Sequence, residues 1–218
     1  MKERIILIIV LIYIPVYIVY SQENYTHADS IFGDNYKTVV IGNQEWIAEN
    51  LNVNIFRNGD TIPHAATNEE WVRAGKEGQP AWCYYGNNNA NGKKFGKLYN
   101  WHAVNDPRGL APEGWEIPTY DDFLTLLSNF DNKDIATYHT LVENGSSGFN
   151  AFLAGWRYYD GNFYTIFNNS YLWSSLGTDT SNVIIGSAYY MGITSYNESI
   201  EMYFDHKGLG LSVRCIKK

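Results

Sequence analysis

The chain has 218 residues, of which 45% are hydrophobic, 18% charged and 16% aromatic, with 7 Trp, 18 Tyr and 10 Phe. That is too rich in core-forming side chains for a disordered chain and too interrupted by polar residues for a membrane bundle. The formal net charge is −7, or −8 once Lys2, Glu3 and Arg4 leave with an export signal, so the basic surface that phosphate recognition needs is missing and no nucleic-acid partner is expected.

Lys2 and Arg4 precede an apolar run from Ile5 to Tyr20. A basic start, an apolar core and tolerated residues at Val19 and Ser21 form a secretory signal, with cleavage predicted between Ser21 and Gln22. The run is short of the roughly 20 residues that span a bilayer, and Pro15 sits inside it. We therefore read 1–21 as a cleaved signal rather than an anchor, and the protein as secreted or displayed at the cell surface, touching membrane only through that segment before cleavage. Residues 22–35 read as a polar, flexible leader, and 36–218 as one domain.

With 23 Asn, 19 Gly and 6 Pro, the domain should hold many turns and short strands. Lys37–Ile41, Gly42-Asn43 and Gln44–Ala48 read as a hairpin whose second strand carries Trp46. Thr67 with Glu70 three residues later predicts a capping box and a short helix to Ala74, stopped by Gly75. Asn87–Gly92 reads as a surface turn. After Pro118, Thr119 caps a helix with Asp121 and Asp122 in its first turn and an apolar stripe of Phe123, Leu124, Leu126, Leu127 and Phe130. Ile135, Tyr138, Leu141 and Val142 suggest a second helix ending at Asn144-Gly145. From Phe149 onward, short aromatic and β-branched runs broken by turns at Asp160-Gly161, Asn168-Asn169, Gly177, Gly186, Gly192 and Gly208 predict a twisted antiparallel sheet. Helices in the middle and strands at both ends give an α+β fold, with the first and last strands meeting in one sheet.

The familiar catalytic strings are absent: there is no GxSxG elbow, no P-loop and no complete dinucleotide glycine motif. His27, His64, His102, His139 and His206 lack ligand spacing, so no metal or cofactor is expected. The carboxylate pairs Glu69/Glu70, Glu113/Glu116 and Asp121/Asp122 read better as helix-start charges and surface than as a glycosidase pair. Cys83 and Cys215 are the only cysteines. In an exported chain they form either a disulfide, contributing about 4–5 kcal/mol by the loop-entropy argument, or two buried thiols. Trp156, Tyr158, Tyr159, Phe163, Tyr164 and Trp173 cluster along the chain. Exposed aromatic faces stack on sugars or peptide groups, while alternation along a strand sends half of such residues inward. Trp156, Tyr158, Tyr159 and Trp173 are the ligand-binding candidates.

Several strings occur in a recognisable order: Val39–Leu51 (VVIGNQEWIAENL), Pro80–Tyr85 (PAWCYY), Phe95–Trp101 (FGKLYNW), Gly109–Thr119 (GLAPEGWEIPT), then Gly148-Phe149, Gly155, Trp173-Ser174-Ser175 and Ser212–Cys215 (SVRC). Together they resemble the Fibrobacter succinogenes major paralogous domain, a family of exported bacterial domains, from about residue 36 to the end. The resemblance implies a divergent C-type lectin-like fold, with twisted antiparallel sheets, one or two helices and long loops, shared broadly with formylglycine-generating enzymes. Ala111 and Glu116 stand where many members carry Cys and His, which leaves Cys83–Cys215 as the one pairing open to this chain. The calcium-site strings of sugar-binding C-type lectins are missing, so calcium-dependent sugar binding is not implied. Trp46, Trp101, Trp115 and Trp173 supply core area, and Glu49 and Arg214, in the first and last motifs, are expected to pair across the sheet.

The functional expectation is a non-catalytic surface binding or adhesion module for a glycan or protein. The competing readings are an enzyme of the formylglycine-generating type, by fold analogy alone, and a structural protein of the cell envelope.

Overall fold

The computed structural model describes residues 36–130, 135–178 and 186–217; the predicted signal at 1–21 and the predicted leader at 22–35 lie outside them. In chain order, the hairpin strands β1 (Thr38–Ile41) and β2 (Gln44–Ile47) precede helix α1 (Asn68–Glu77). Next come β3 (Trp82–Cys83), α2 (Asn89–Phe95), β4 (Leu98–Tyr99), α3 (Trp101–Val104) and β5 (Trp115–Glu116). Helices α4 (Tyr120–Ser128) and α5 (Ile135–Leu141) lead into the short pair β6 (Trp156–Arg157) and β7 (Phe163–Tyr164). The long strands β8 (Asn169–Gly177), β9 (Ser187–Thr194) and β10 (Ser199–His206) follow, and β11 (Ile216–Lys217) ends the fold.

The α+β expectation holds, with five α-helices among the described residues where one or two were expected, and the first and last described strands share a sheet. Its order is β1-β2-β11-β5, with Ile216 opposite both Trp46 and Glu116. Strands β10-β9-β8 form a separate three-stranded antiparallel sheet. Among the described residues, two large apolar cores flank these sheets, because successive strand residues face opposite ways, and a smaller third cluster forms around Trp71 and Leu98. In β2, Trp46 enters a core with Phe123, Leu126, Leu141 and Phe149, while the next residue, Ile47, enters one with Tyr99, Trp101, Leu211 and Cys215. The neighbours Leu172 and Trp173 in β8 divide in the same way. Strands buried on both faces need apolar residues in succession, which is why alternation is weak in these stretches.

The helix signals resolve in detail. Thr67 and Glu70 form the capping box of α1, and Thr119 and Asp122 that of α4. Phe123, Leu126 and Leu127 are buried, with Leu124 and Phe130 partly so. Helix α1 continues past Gly75 to Glu77 and ends at Gly78, whose φ of 67° is the left-handed cap that glycine favours. Gly75 serves instead as a point of close approach: a Cβ there would sit 3.3 Å from the Cα of Gly208. The predicted turn at Asn87–Gly92 is corrected to helix α2. Asn88 caps it by accepting the Ala90 N–H, buried Phe95 anchors it, and Gly92 lies against the ring of Tyr84, so packing overrides the poor helix propensity of Asn and Gly. Trp46, Trp101 and Trp173 are core residues as expected; Trp115 is only half-buried, on strand β5, which among the described residues pairs with β11 alone.

Two expected pairings are not formed. Cys83 and Cys215 are both free and buried, in different apolar clusters, the first beside Trp71 and Leu98 and the second beside Tyr99 and Val213. Burial pushes each thiol up to about 12, with the positive charges of Arg157 near Cys83 and Arg214 near Cys215 acting the other way. Arg214 does not take Glu49 as a hydrogen-bonding partner. Its Nε donates to Asn50 Oδ1 at 2.9 Å, and its terminal nitrogens donate to the carbonyls of Ile47, Phe149 and Asn150. Glu49 contributes only a charge at longer range, opposing the burial that lowers the Arg214 pKa. The physical reason is reach: a fully buried guanidinium satisfies its donors on the inward-facing acceptors around it, and the half-exposed Glu49 is not among them.

Arg157 repeats this arrangement. It is fully buried, lies over the rings of Trp71 and Phe163, and donates to the carbonyls of Gly161, Ala65 and Thr67 and to Asn68 Oδ1. Among the described residues no carboxylate pairs with either guanidinium.

Replacing Arg214 by Lys keeps the charge but supplies one point donor where a planar fork served two segments, 47–50 and 149–150. Urea unfolding of this variant is expected to show a loss of about 2–4 kcal/mol, from acceptors left buried and unpaired; an unchanged midpoint would contradict the clamp. The thiols give a second check. Both are expected to resist 5,5′-dithiobis(2-nitrobenzoate) in the native protein and both to react in denaturant without reductant, whereas a disulfide would leave neither to react.

Candidate functional site

One face of the β8-β9-β10 sheet packs on α4 and α5 through Leu172, Met191, Ile193 and Ile200. Period-two alternation puts Tyr171, Tyr190 and Tyr203 on the other face, all partly exposed. The register sets Gly192 between Tyr171 and Glu201, and Tyr190 between Trp173 and Tyr203. A Cβ on Gly192 would lie 2.7 Å from Tyr203 and 3.1 Å from Tyr171. The missing side chain therefore lets the two flanking rings close over the middle strand.

The β6-β7 hairpin extends this face. Tyr158 N–H donates to Asn162 and Gly161 N–H to Tyr158 across the Asp160-Gly161 turn, and Trp156 pairs with Tyr164. Gly155, with a φ of 67°, turns the chain into the hairpin where a Cβ would meet Tyr85 at 2.5 Å. The Trp156 ring then lies 5.4 Å from Tyr158, 5.4 Å from Tyr164 and 5.7 Å from Tyr171. Tyr171 continues to Tyr190 at 5.4 Å, and Tyr190 to Tyr203 at 5.7 Å. A second branch runs from Tyr158 to Tyr159 at 3.9 Å and on to His206 at 5.2 Å. Edge-to-face and offset contacts of this kind hold rings in place while leaving part of each exposed; Tyr159 and Tyr164 remain 43% and 41% accessible.

Carboxylates stand among the rings. The Tyr158 phenol is raised to about 12, first by its hydrogen bond to Tyr159, then by burial, by Tyr159 again and by the charges of Asp205 and Asp160. Burial raises Tyr190 further, with Asp205 adding to it, and burial with Glu201 raises Tyr203. The face is thus aromatic, hydroxyl-bearing and negatively charged.

Of the four candidates, the structure brings Trp156, Tyr158 and Tyr159 together. Trp173 is corrected: it is fully buried, its indole N–H donates to the Tyr99 carbonyl at 2.8 Å, and it supports Tyr190 from below. Tyr171, Tyr190, Tyr203, Glu201 and Asp205 were missed. Their spacing by two within each strand carried the signal, but the cross-strand register that unites them is set only in the folded sheet.

The other polar residues have structural places. Glu70 accepts the N–H groups of Ala66 and Thr67, which holds its carboxyl below the usual range. His64 stacks on Trp82 at 4.2 Å, and burial lowers it. His102 is lowered by burial too, and His139 pairs with Glu198. Among the described residues no three His, Cys, Asp or Glu side chains converge as metal ligands would.

The Tyr158–Tyr159 bond is open to test. A hydrogen bond that favours the neutral phenol raises its pKa. Alkaline spectrophotometric titration of Tyr159→Phe should show one remaining tyrosine ionising at lower pH than in the wild type; a curve differing only by the absence of one ordinary tyrosine would show that the contact is not made in solution.

Compared with known proteins, residues 39–217 match the family described as the Fibrobacter succinogenes major domain. No curated protein and no solved structure matches the chain. The match spans the terminal sheet, both cores and the aromatic face, and the chain belongs to the Fibrobacter succinogenes major domain family.

Proposed function

We propose that this protein is an exported, non-catalytic binding module that holds a glycan against the aromatic face, on a C-type lectin-like scaffold. The observation that carries this reading is the joined set of half-exposed rings interleaved with Asp160, Glu201 and Asp205. Sugar C–H faces pack on aromatic rings, and sugar hydroxyls donate to carboxylates and phenols. The basic, then apolar, N-terminal sequence supports export. The pairing of the terminal strands and the two helices beside the long sheet support the scaffold. The negative charge around the rings favours a neutral sugar over an acidic one. The enzyme alternative needs two reactive cysteines in a cleft. Here both are buried with their thiols raised to about 12, which argues against it.

A panel of neutral polysaccharides, titrated against the purified chain by intrinsic tryptophan fluorescence, tests the proposal. At least one should bind, and Gly192→Ala, which pushes apart the rings of Tyr171 and Tyr203, should weaken it about tenfold, or about 1.4 kcal/mol. Binding that is unaffected by both Gly192→Ala and Tyr159→Ala, or no binding to any neutral glycan, would overturn it.

A further inference from the structure

A second site lies away from the rings. Between the segment after β2, at 49–52, and helix α2 is a cleft of about 390 Å³, within the range of small-ligand sites. Its walls are fixed backbone to backbone. A Cβ on Gly96 would fall 2.9 Å from the carbonyl oxygens of Asn50 and Leu51, and Gly92 presses on Tyr84. The floor is polar and already ordered. Asn50 donates to the Phe95 carbonyl and accepts from Arg214, and Asn52 accepts from Lys97 Nζ at 2.8 Å and donates to the Gly92 carbonyl at 3.4 Å.

The charge of this cleft runs against that of the whole molecule. In a chain of net charge −7, the side chains at the opening carry Lys93 and Lys94 against Glu49, while Lys97 is buried beneath and donates to Asn52. Lys94 also pairs with Glu143 at 3.7 Å, but both side chains are about half exposed, and such a surface pair holds its partners weakly. The lining carboxylate is Glu49, which acts on Arg214 only through its charge at longer range. Phe152 supplies an apolar wall, steadied edge-on against Phe95 at 6.2 Å.

We infer that this cleft binds an acidic sugar of the uronic acid class. The lysines would take its carboxylate, Glu49 would accept from its hydroxyls, and Phe152 would pack on a ring face. The inference is independent of the neutral-glycan reading of the aromatic face.

Isothermal titration calorimetry of the whole chain with trigalacturonate, and with the neutral galactose trimer of the same linkage, tests it. Trigalacturonate should bind and the neutral trimer should not bind measurably at this cleft. The double variant Lys93→Ala/Lys94→Ala should lose at least tenfold in affinity, and raising salt from about 50 to about 500 mM should weaken the wild type comparably. Gly192→Ala should leave trigalacturonate binding unchanged, which separates this site from the aromatic face. No binding by the wild type, retained affinity in the double variant, binding of the neutral trimer that the double variant weakens as much as it weakens trigalacturonate, or loss on Gly192→Ala alone would each overturn the inference.

Discussion

Two buried guanidinium groups that, among the described residues, hydrogen-bond to no carboxylate dictate much of this architecture. Desolvating a charge is costly, and here the cost is offset by neutral acceptors and aromatic faces rather than by a counter-ion. Arg157 gathers carbonyls from the approach to α1 and from the β6-β7 turn, about 90 residues away in the chain. Arg214 gathers the end of β2 and the segment at 149–150 onto the approach to β11. Each acceptor must point inward at a set distance, so each arginine fixes the course of several loops together. A carboxylate partner would satisfy one or two donors at a single point; distributed carbonyls spread the constraint over the fold.

Both candidate sites depend on these clamps. Arg157 lies between Trp156 and Tyr158 in the chain, and its bonds to Gly161 and Ala65 hold the hairpin that presents those rings. Arg214 orients Asn50, whose other contacts form the floor of the basic cleft. The irregular segments that build the two candidate sites are thus anchored from beneath by buried charge, which lets loops of this length keep a defined shape without long strands or helices of their own.

Local chemistry was legible in the sequence, while relations between distant segments mostly were not. The capping residues Thr67 and Thr119, the Gly42-Asn43 turn and the apolar stripe of α4 announce themselves because each acts within a few positions. The meeting of the first and last strands was also legible, from the distribution of strand and helix signals. Helix α2 was not, because Asn and Gly are poor helix formers and only the docking of Phe95 and Gly92 makes it helical. Pairing Glu49 with Arg214 failed by a single position, since charge complementarity cannot distinguish the half-exposed Glu49 from the buried Asn50 that holds the guanidinium. The cysteines failed similarly: parity and export suggest a bridge, but the two side chains belong to separate apolar clusters. Part of the aromatic face was visible in the run from Trp156 to Tyr164, and the remainder lay in three strands whose register no local pattern specifies.

The opposite charges of the two candidate sites bear on what one such module could recognise. Carboxylates around the rings repel an acidic sugar there, and lysines at the cleft favour one. Repulsion at one site and attraction at the other would both contribute to discrimination, since specificity is a difference of affinities and gains from disfavouring the wrong partner as well as from holding the right one. A polymer carrying both neutral and acidic residues could engage both sites at once. The second contact would then be intramolecular, and two weak sites would act as one strong one where the spacing of charge along the polymer matches their separation on the protein. A polymer of one kind alone would lose that gain, so charge placement on the protein would select for composition in the ligand.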